Sequence, residues 1–114
     1  PREPESIDRR GSIDVGATCA GALSPADDRD YYSVKLGGAS AVRLRLFSLP
    51  DGSNFDALIY EDVAGYPRAC HIGTTGDQDK ATNCDLNPSK SYFILVNRGP
   101  RPEGGSYNLS LKRR

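Results

Sequence analysis

Apolar and polar residues alternate with period two along almost the whole chain, and no window sustains a helical period. The clearest run is "SAVRLRLFSL", where Val42, Leu44 and Leu46 face one way and Arg43 and Arg45 the other, as in a strand with one buried face. "GATCAGAL" predicts a short first strand and "DYYSVKL" a second; "FDALIYED" follows a Pro-Asp-Gly turn. "YPRACHI" and "KATNCDL" read as a hairpin, and "SYFILVN" and "SYNLSLK" close the chain, the last with Tyr107, Leu109 and Leu111 inward. Turn-rich joints such as "LGGAS", "LPDGSN" and "RGPRPEGG" separate about eight strands, which predicts an all-β chain folded as an antiparallel β-sandwich, with a small closed barrel as the alternative.

At 114 residues and 37% hydrophobic content the chain suits one modest core, so a single domain is expected over residues 13–114, preceded by a linker, "PREPESIDRRGS", over 1–12. Fifteen basic and fifteen acidic residues cancel, so no net field draws the chain to nucleic acid or to an anionic membrane. No run approaches the roughly 20 apolar residues of a membrane span. A chain that starts at Pro1 and contains no methionine is expected to be a processed product or a piece of a longer precursor.

Three cysteines in a small, turn-rich domain favour an oxidising compartment. Cys70 and Cys84 flank "HIGTTGDQDKATN", whose centre is good turn material, and are expected to face each other across a hairpin as a disulfide. A loop of that length stabilises by roughly 3 kcal/mol in the chain-entropy model. Cys19 is left over and reads as a small buried hydrophobe on a strand, with a reactive or intermolecular thiol as the alternative.

Catalytic machinery is not legible. The single histidine, His71, lies on a predicted strand beside a disulfide cysteine, and neither a Gly-x-Ser-x-Gly elbow, a His-Glu-x-x-His pair nor a phosphate-cradling glycine loop occurs. The chain is therefore read as a non-enzyme. One cluster does ask for chemistry: Asp27, Asp28 and Asp30 crowd the start of "DYYSVKL". Like charges at that spacing either sit hydrated around a turn, with Asp27 or Asp28 capping amides, or converge on a hard cation such as calcium.

The order of "ALSPADDRDYYSVKL", "FDALIYED", "SYFILVN" and "GGSYNLSL" resembles the bacterial pre-peptidase C-terminal domain, a family that includes the collagen-binding domains of clostridial collagenases. The family's Asp-x-Asp-x-Tyr-x-Phe-x-Leu strand is matched by Asp28, Asp30, Tyr32, Val34 and Leu36, and its closing Gly-x-Tyr-x-Leu strand by Gly105, Tyr107 and Leu109. The resemblance implies a jelly-roll-like sandwich attached to secreted peptidases or other exported proteins. In calcium-binding members an acidic N-terminal linker folds back onto the strand-side aspartates. On that pattern Glu3, Glu5, Asp27 and Asp30, with Asp28 nearby and the backbone carbonyl of Tyr107, would hold calcium, while Ser6 stands where the family has an aspartate.

In the collagen-binding subset the binding face carries exposed aromatics. Of the six tyrosines here the strand pattern buries Tyr32 and Tyr107, which leaves Tyr31, Tyr60, Tyr66 and Tyr92 as candidates for a ligand-binding face. The expectation is a secreted, monomeric, non-catalytic accessory domain that targets, docks or helps mature a parent peptidase or hydrolase. The alternatives are a stand-alone module that binds collagen-like protein or polysaccharide through its tyrosines, and a structural protein-interaction domain.

Overall fold

The computed structural model describes residues 11–23, 29–72, 76–97 and 105–114. Among them are nine strands and no helix: β1 (Gly11–Asp14), β2 (Ala17–Leu23), β3 (Arg29–Lys35), β4 (Ala41–Phe47), β5 (Asp56–Glu61), β6 (Arg68–His71), β7 (Lys80–Asp85), β8 (Tyr92–Asn97) and β9 (Gly105–Arg113). They form two sheets, of five strands in the order β1-β3-β8-β5-β6 and of four in the order β2-β9-β4-β7. Successive strands change sheet at every step except the β5–β6 hairpin, a jelly-roll-like path. The sandwich, not the barrel, is therefore the architecture.

The core lies between the sheets and follows directly from the alternation. Val42, Leu44 and Leu46 of β4 and Tyr107, Leu109 and Leu111 of β9 face Ala57 and Ile59 of β5 and Ile94 and Val96 of β8, all at most 1% exposed. Burial this complete stabilises by about 25 cal/mol for each Å² of apolar surface taken from water.

All eight expected strands are present, and β1 is the addition. It takes Gly11 and Ser12 from the segment read as linker, pairs in parallel with β3 from Gly11 opposite Tyr32 to Asp14 opposite Lys35, and buries only Ile13. Four residues with one inward side chain carry no readable period. The remaining ladders are antiparallel. After β1 the chain crosses between sheets within two residues: the Val15 amide donates to Lys35 O (3.1 Å) and the Gly16 amide to Leu111 O (2.6 Å). Gly16 makes the corner at φ 102°, a conformation side chains resist.

The opposite flank is closed covalently. Cys70 and Cys84 are bonded, with Cα atoms 5.9 Å apart, but they do not face each other across a hairpin. Their strands belong to different sheets: β6 is the outer strand of the five-stranded sheet and β7 of the four-stranded one. The sequence between them is too long for a tight turn, so β7 is free to pair with β4 instead of β6.

Candidate functional site

The outer face of the five-stranded sheet carries an apolar patch. Tyr31 of β3, Tyr60 of β5 and Phe93 and Leu95 of β8 share this face, because Tyr31 stands opposite Leu95 and Tyr60 opposite Phe93 in the ladders. With Tyr66, from the turn between β5 and β6, they line a groove of about 270 Å³. The Tyr60 and Phe93 rings stack at 5.4 Å and 24°; Tyr66 meets Phe93 edge-on at 5.5 Å and 83°, and Tyr31 lies tilted against it at 6.0 Å. Phe93 is thus a floor, 3% exposed, under a ring of three tyrosines.

Tyr66 is held out by its turn. Its amide donates to Val63 O at 2.9 Å, the Glu61 amide donates to Pro67 O at 2.8 Å, and the Asp62 amide is anchored on Ser91 O. The residue sits at φ 44°, the left-handed region that a bulky side chain occupies only at a cost of about 1–2 kcal/mol. It is also 47% exposed, and neighbouring Val63 45%, the two large apolar side chains most open to solvent among the described residues. A strained backbone that holds an aromatic ring in water is a feature associated with binding sites.

Three of the four tyrosines singled out in the sequence therefore come together, and the fourth does not. Tyr92 is 6% exposed and points into the core, where its hydroxyl accepts the Asn87 amide at 2.9 Å. Strand parity explains the correction: Tyr92, Ile94 and Val96 face inward, so Phe93 and Leu95 face outward. "YFILV" is apolar at every position, and nothing in it marks which set lies outside. Phe93 was hidden for the same reason.

A second constellation lies inside the sandwich. Asp30 of β3 is fully buried and its Oδ2 accepts the Tyr107 hydroxyl at 2.5 Å; the Tyr32 and Tyr107 hydroxyls are 2.6 Å apart. Each phenol has one proton, and that of Tyr107 goes to the carboxylate, so Tyr32 donates to Tyr107. The relay joins β3 of one sheet to β9 of the other. Burial, then the neighbouring Tyr32 and Asp30, push the Tyr107 phenol far above its ordinary range.

Of the expected calcium ligands, Glu3, Glu5, Asp27 and Asp28, like Ser6, lie outside the described residues. Among the described residues no three His, Cys, Asp or Glu side chains gather as a metal centre. Asp30 suits a hard cation by its carboxylate chemistry but is engaged by Tyr107, so the described part of the set is the Tyr107 carbonyl and one carboxylate already serving the core. His71 is exposed at the end of β6. Cys19, on β2, is partly buried against the core, and burial, with Asp14 nearby, raises its thiol above the ordinary value.

No protein-family model and no curated protein matches this chain. Solved structures do match in fold. The pre-peptidase C-terminal domain of a collagenase from Bacillus anthracis superposes with a TM-score of 0.74 at 22% identity, over 98% of this chain and 100% of that one. The two share the same fold over nearly their whole lengths. PliG of Aeromonas hydrophila, a periplasmic inhibitor of g-type lysozyme, matches with a TM-score of 0.56 at 14% identity over 89% of this chain and 94% of that one. A CBM4 carbohydrate-binding module matches at 0.50 and 10%, over 82% of this chain and 80% of that one. No helix among the described residues is long and apolar enough to cross a membrane.

Proposed function

We propose that the chain is a non-catalytic binding domain of an exported protein, and that it holds a linear extracellular polymer against the groove of Tyr31, Tyr60, Tyr66, Phe93 and Leu95. The observation that carries this reading is the groove itself: a ring of tyrosines around a flat aromatic floor, on a sheet face that solvent would otherwise favour as polar. At about 270 Å³ it is small for a compact ligand and suits one residue of a polymer at a time, a ring laid against Tyr60 and flanked by Tyr31 and Tyr66, with buried Phe93 supporting all three. Tyrosine supplies rigid contact area together with a hydroxyl donor, which serves both a proline-rich strand and a sugar ring. The fold shared with a collagenase accessory domain and a carbohydrate-binding module supports the same general role.

The parent is proposed to be a secreted peptidase or hydrolase, and the Cys70–Cys84 bond fits an oxidising, extracytoplasmic setting. Retention on insoluble collagen and on insoluble polysaccharide tests the binding role directly. The wild-type chain should be retained by one of them and the Tyr31→Ala/Tyr66→Ala variant washed through; equal retention of both removes the groove from the account.

Calcium is a separate part of the proposal. Glu3, Glu5, Asp27 and Asp28 would join Asp30 and the Tyr107 carbonyl to hold the ion, which would neutralise carboxylates that otherwise repel at the head of β3.

A further inference from the structure

We infer that the Cys70–Cys84 bond is a positioning element of the aromatic groove: it fixes the strand that carries the Tyr66 wall, so the groove is complete only in the oxidised chain. The inference rests on the groove being the binding site, but its test needs no ligand.

Four of the five lining residues sit on strands with two hydrogen-bonded neighbours: Tyr31 on β3, Tyr60 on β5, and Phe93 and Leu95 on β8. Tyr66 does not. It is two residues ahead of β6, a four-residue strand that pairs with β5 alone, through Leu58 with His71, Ile59 with Cys70 and Tyr60 with Arg68. A register shift between Ile59 and Tyr60 interrupts even this short ladder, and three of the four β6 residues are exposed. A strand with so few contacts belongs to the low-stability end of a fold, where local opening is easy.

On its other side β6 has no hydrogen-bonded strand among the described residues, and there the covalent link joins it to β7. Cys84 is 2% exposed and lies in β7 opposite Val42, itself fully buried in β4, so the bond ties the weakest strand of one sheet to the core of the other. Cys70 is half-buried and is the sulfur within reach of solvent. In reduction by an external dithiol, one reagent thiolate attacks Cys70 Sγ and the Cys84 thiolate leaves and takes a proton. The second reagent thiol then displaces Cys70 as a thiol, so two electrons and two protons pass to the protein and the reagent becomes a cyclic disulfide. With the link gone, β6 and the turn before it keep three ladder positions, the backbone hydrogen bonds of the turn and the edge contact of Tyr66 with Phe93, and the strained Tyr66 backbone has only these to oppose its relaxation.

Proton NMR of the full chain, oxidised and then reduced by dithiothreitol, tests this, with Cys70→Val/Cys84→Val as a second form that keeps apolar bulk without the bond. The oxidised chain should show the Tyr66–Phe93 ring contact and slow amide exchange at Glu61 and Tyr66. In both unbonded forms that contact should vanish and the two amides exchange at least about tenfold faster, while the Tyr31–Phe93 contact and the Ile94 amide stay unchanged. Survival of the Tyr66–Phe93 contact in either unbonded form overturns the inference. So does loss of every ring contact in both, since the bond would then hold the whole fold and not one wall of the groove.

Discussion

The Tyr107 hydroxyl lies 2.5 Å from Asp30 Oδ2, and that one hydrogen bond links the two sheets through the centre of the sandwich. It makes the burial of a carboxylate tolerable, because a charged acceptor in the core is stabilised by a directed donor and Tyr32 polarises that donor further. Tyr107→Phe keeps the ring and removes the donor, and should cost roughly 1–3 kcal/mol at neutral pH in denaturant unfolding.

The pH dependence of that cost has a definite sign. The folded phenol holds its proton far above the ordinary value of 10.0, so below pH 10 both folded and unfolded chains keep it and the contribution is whole. Above pH 10 only the unfolded chain releases it, and stability falls as pH rises. The stability gap between wild type and Tyr107→Phe should therefore shrink by about 1.4 kcal/mol per pH unit beyond pH 10. A gap that stays constant from pH 8 to 11 would mean that the phenol titrates normally.

Gly21 stands opposite Tyr107 in the β2–β9 ladder, and a Cβ built there would overlap Cζ and Oη of the tyrosine. The ring lies over the missing side chain, which is how its hydroxyl reaches Asp30. Gly21→Ala should cost about 1–3 kcal/mol as an overpacked core site, by chemical denaturation. In combination with Tyr107→Leu the costs should fall short of additive, because the clash and the ring disappear together.

Tyr92 and Phe93 are neighbours with opposite assignments. Tyr92→Phe should lose about 0.5–1.5 kcal/mol through the Asn87 amide it no longer accepts, and leave polymer retention untouched. Phe93→Ala should abolish retention by removing the floor on which Tyr60 stacks and which Tyr31 and Tyr66 touch. The reverse pattern would put the binding face elsewhere.

Calcium added to the full chain should raise the melting temperature, and EDTA should reverse it, since an ion at 100 times its dissociation constant stabilises by about 2.7 kcal/mol. Asp30→Asn should remove the effect. No binding heat in calorimetry and an unchanged melting temperature would end the calcium proposal.

Much of this was legible in the sequence where one face of a strand is polar. β4 declares its orientation through Arg43 and Arg45, and β9 places Tyr107 inward beside Leu109 and Leu111. Tyr31 could be set outside because it shares a strand face with Ser33 and Lys35, whereas Tyr60, in the apolar run "ALIY", was a candidate only because no pattern buried it. β8 could not, since each of Tyr92 to Val96 is apolar and parity comes only from its two neighbouring strands. The cysteine pair was readable from spacing, but the link between sheets was not, because local sequence does not say which of two edges a strand will join. Asp30 resembled a surface ligand, and its burial depends on Tyr107, 77 residues away.

The central claim is most directly tested by titrating isotopically labelled chain with a soluble collagen-like triple-helical peptide and, separately, with a soluble oligosaccharide, following ring and amide resonances by NMR. The account predicts saturable shifts at Tyr31, Tyr60, Tyr66, Phe93 and Leu95 with one of the two ligands, lost in Tyr60→Ala/Tyr66→Ala. No shifts with either, or shifts confined to the four-stranded sheet, would contradict it.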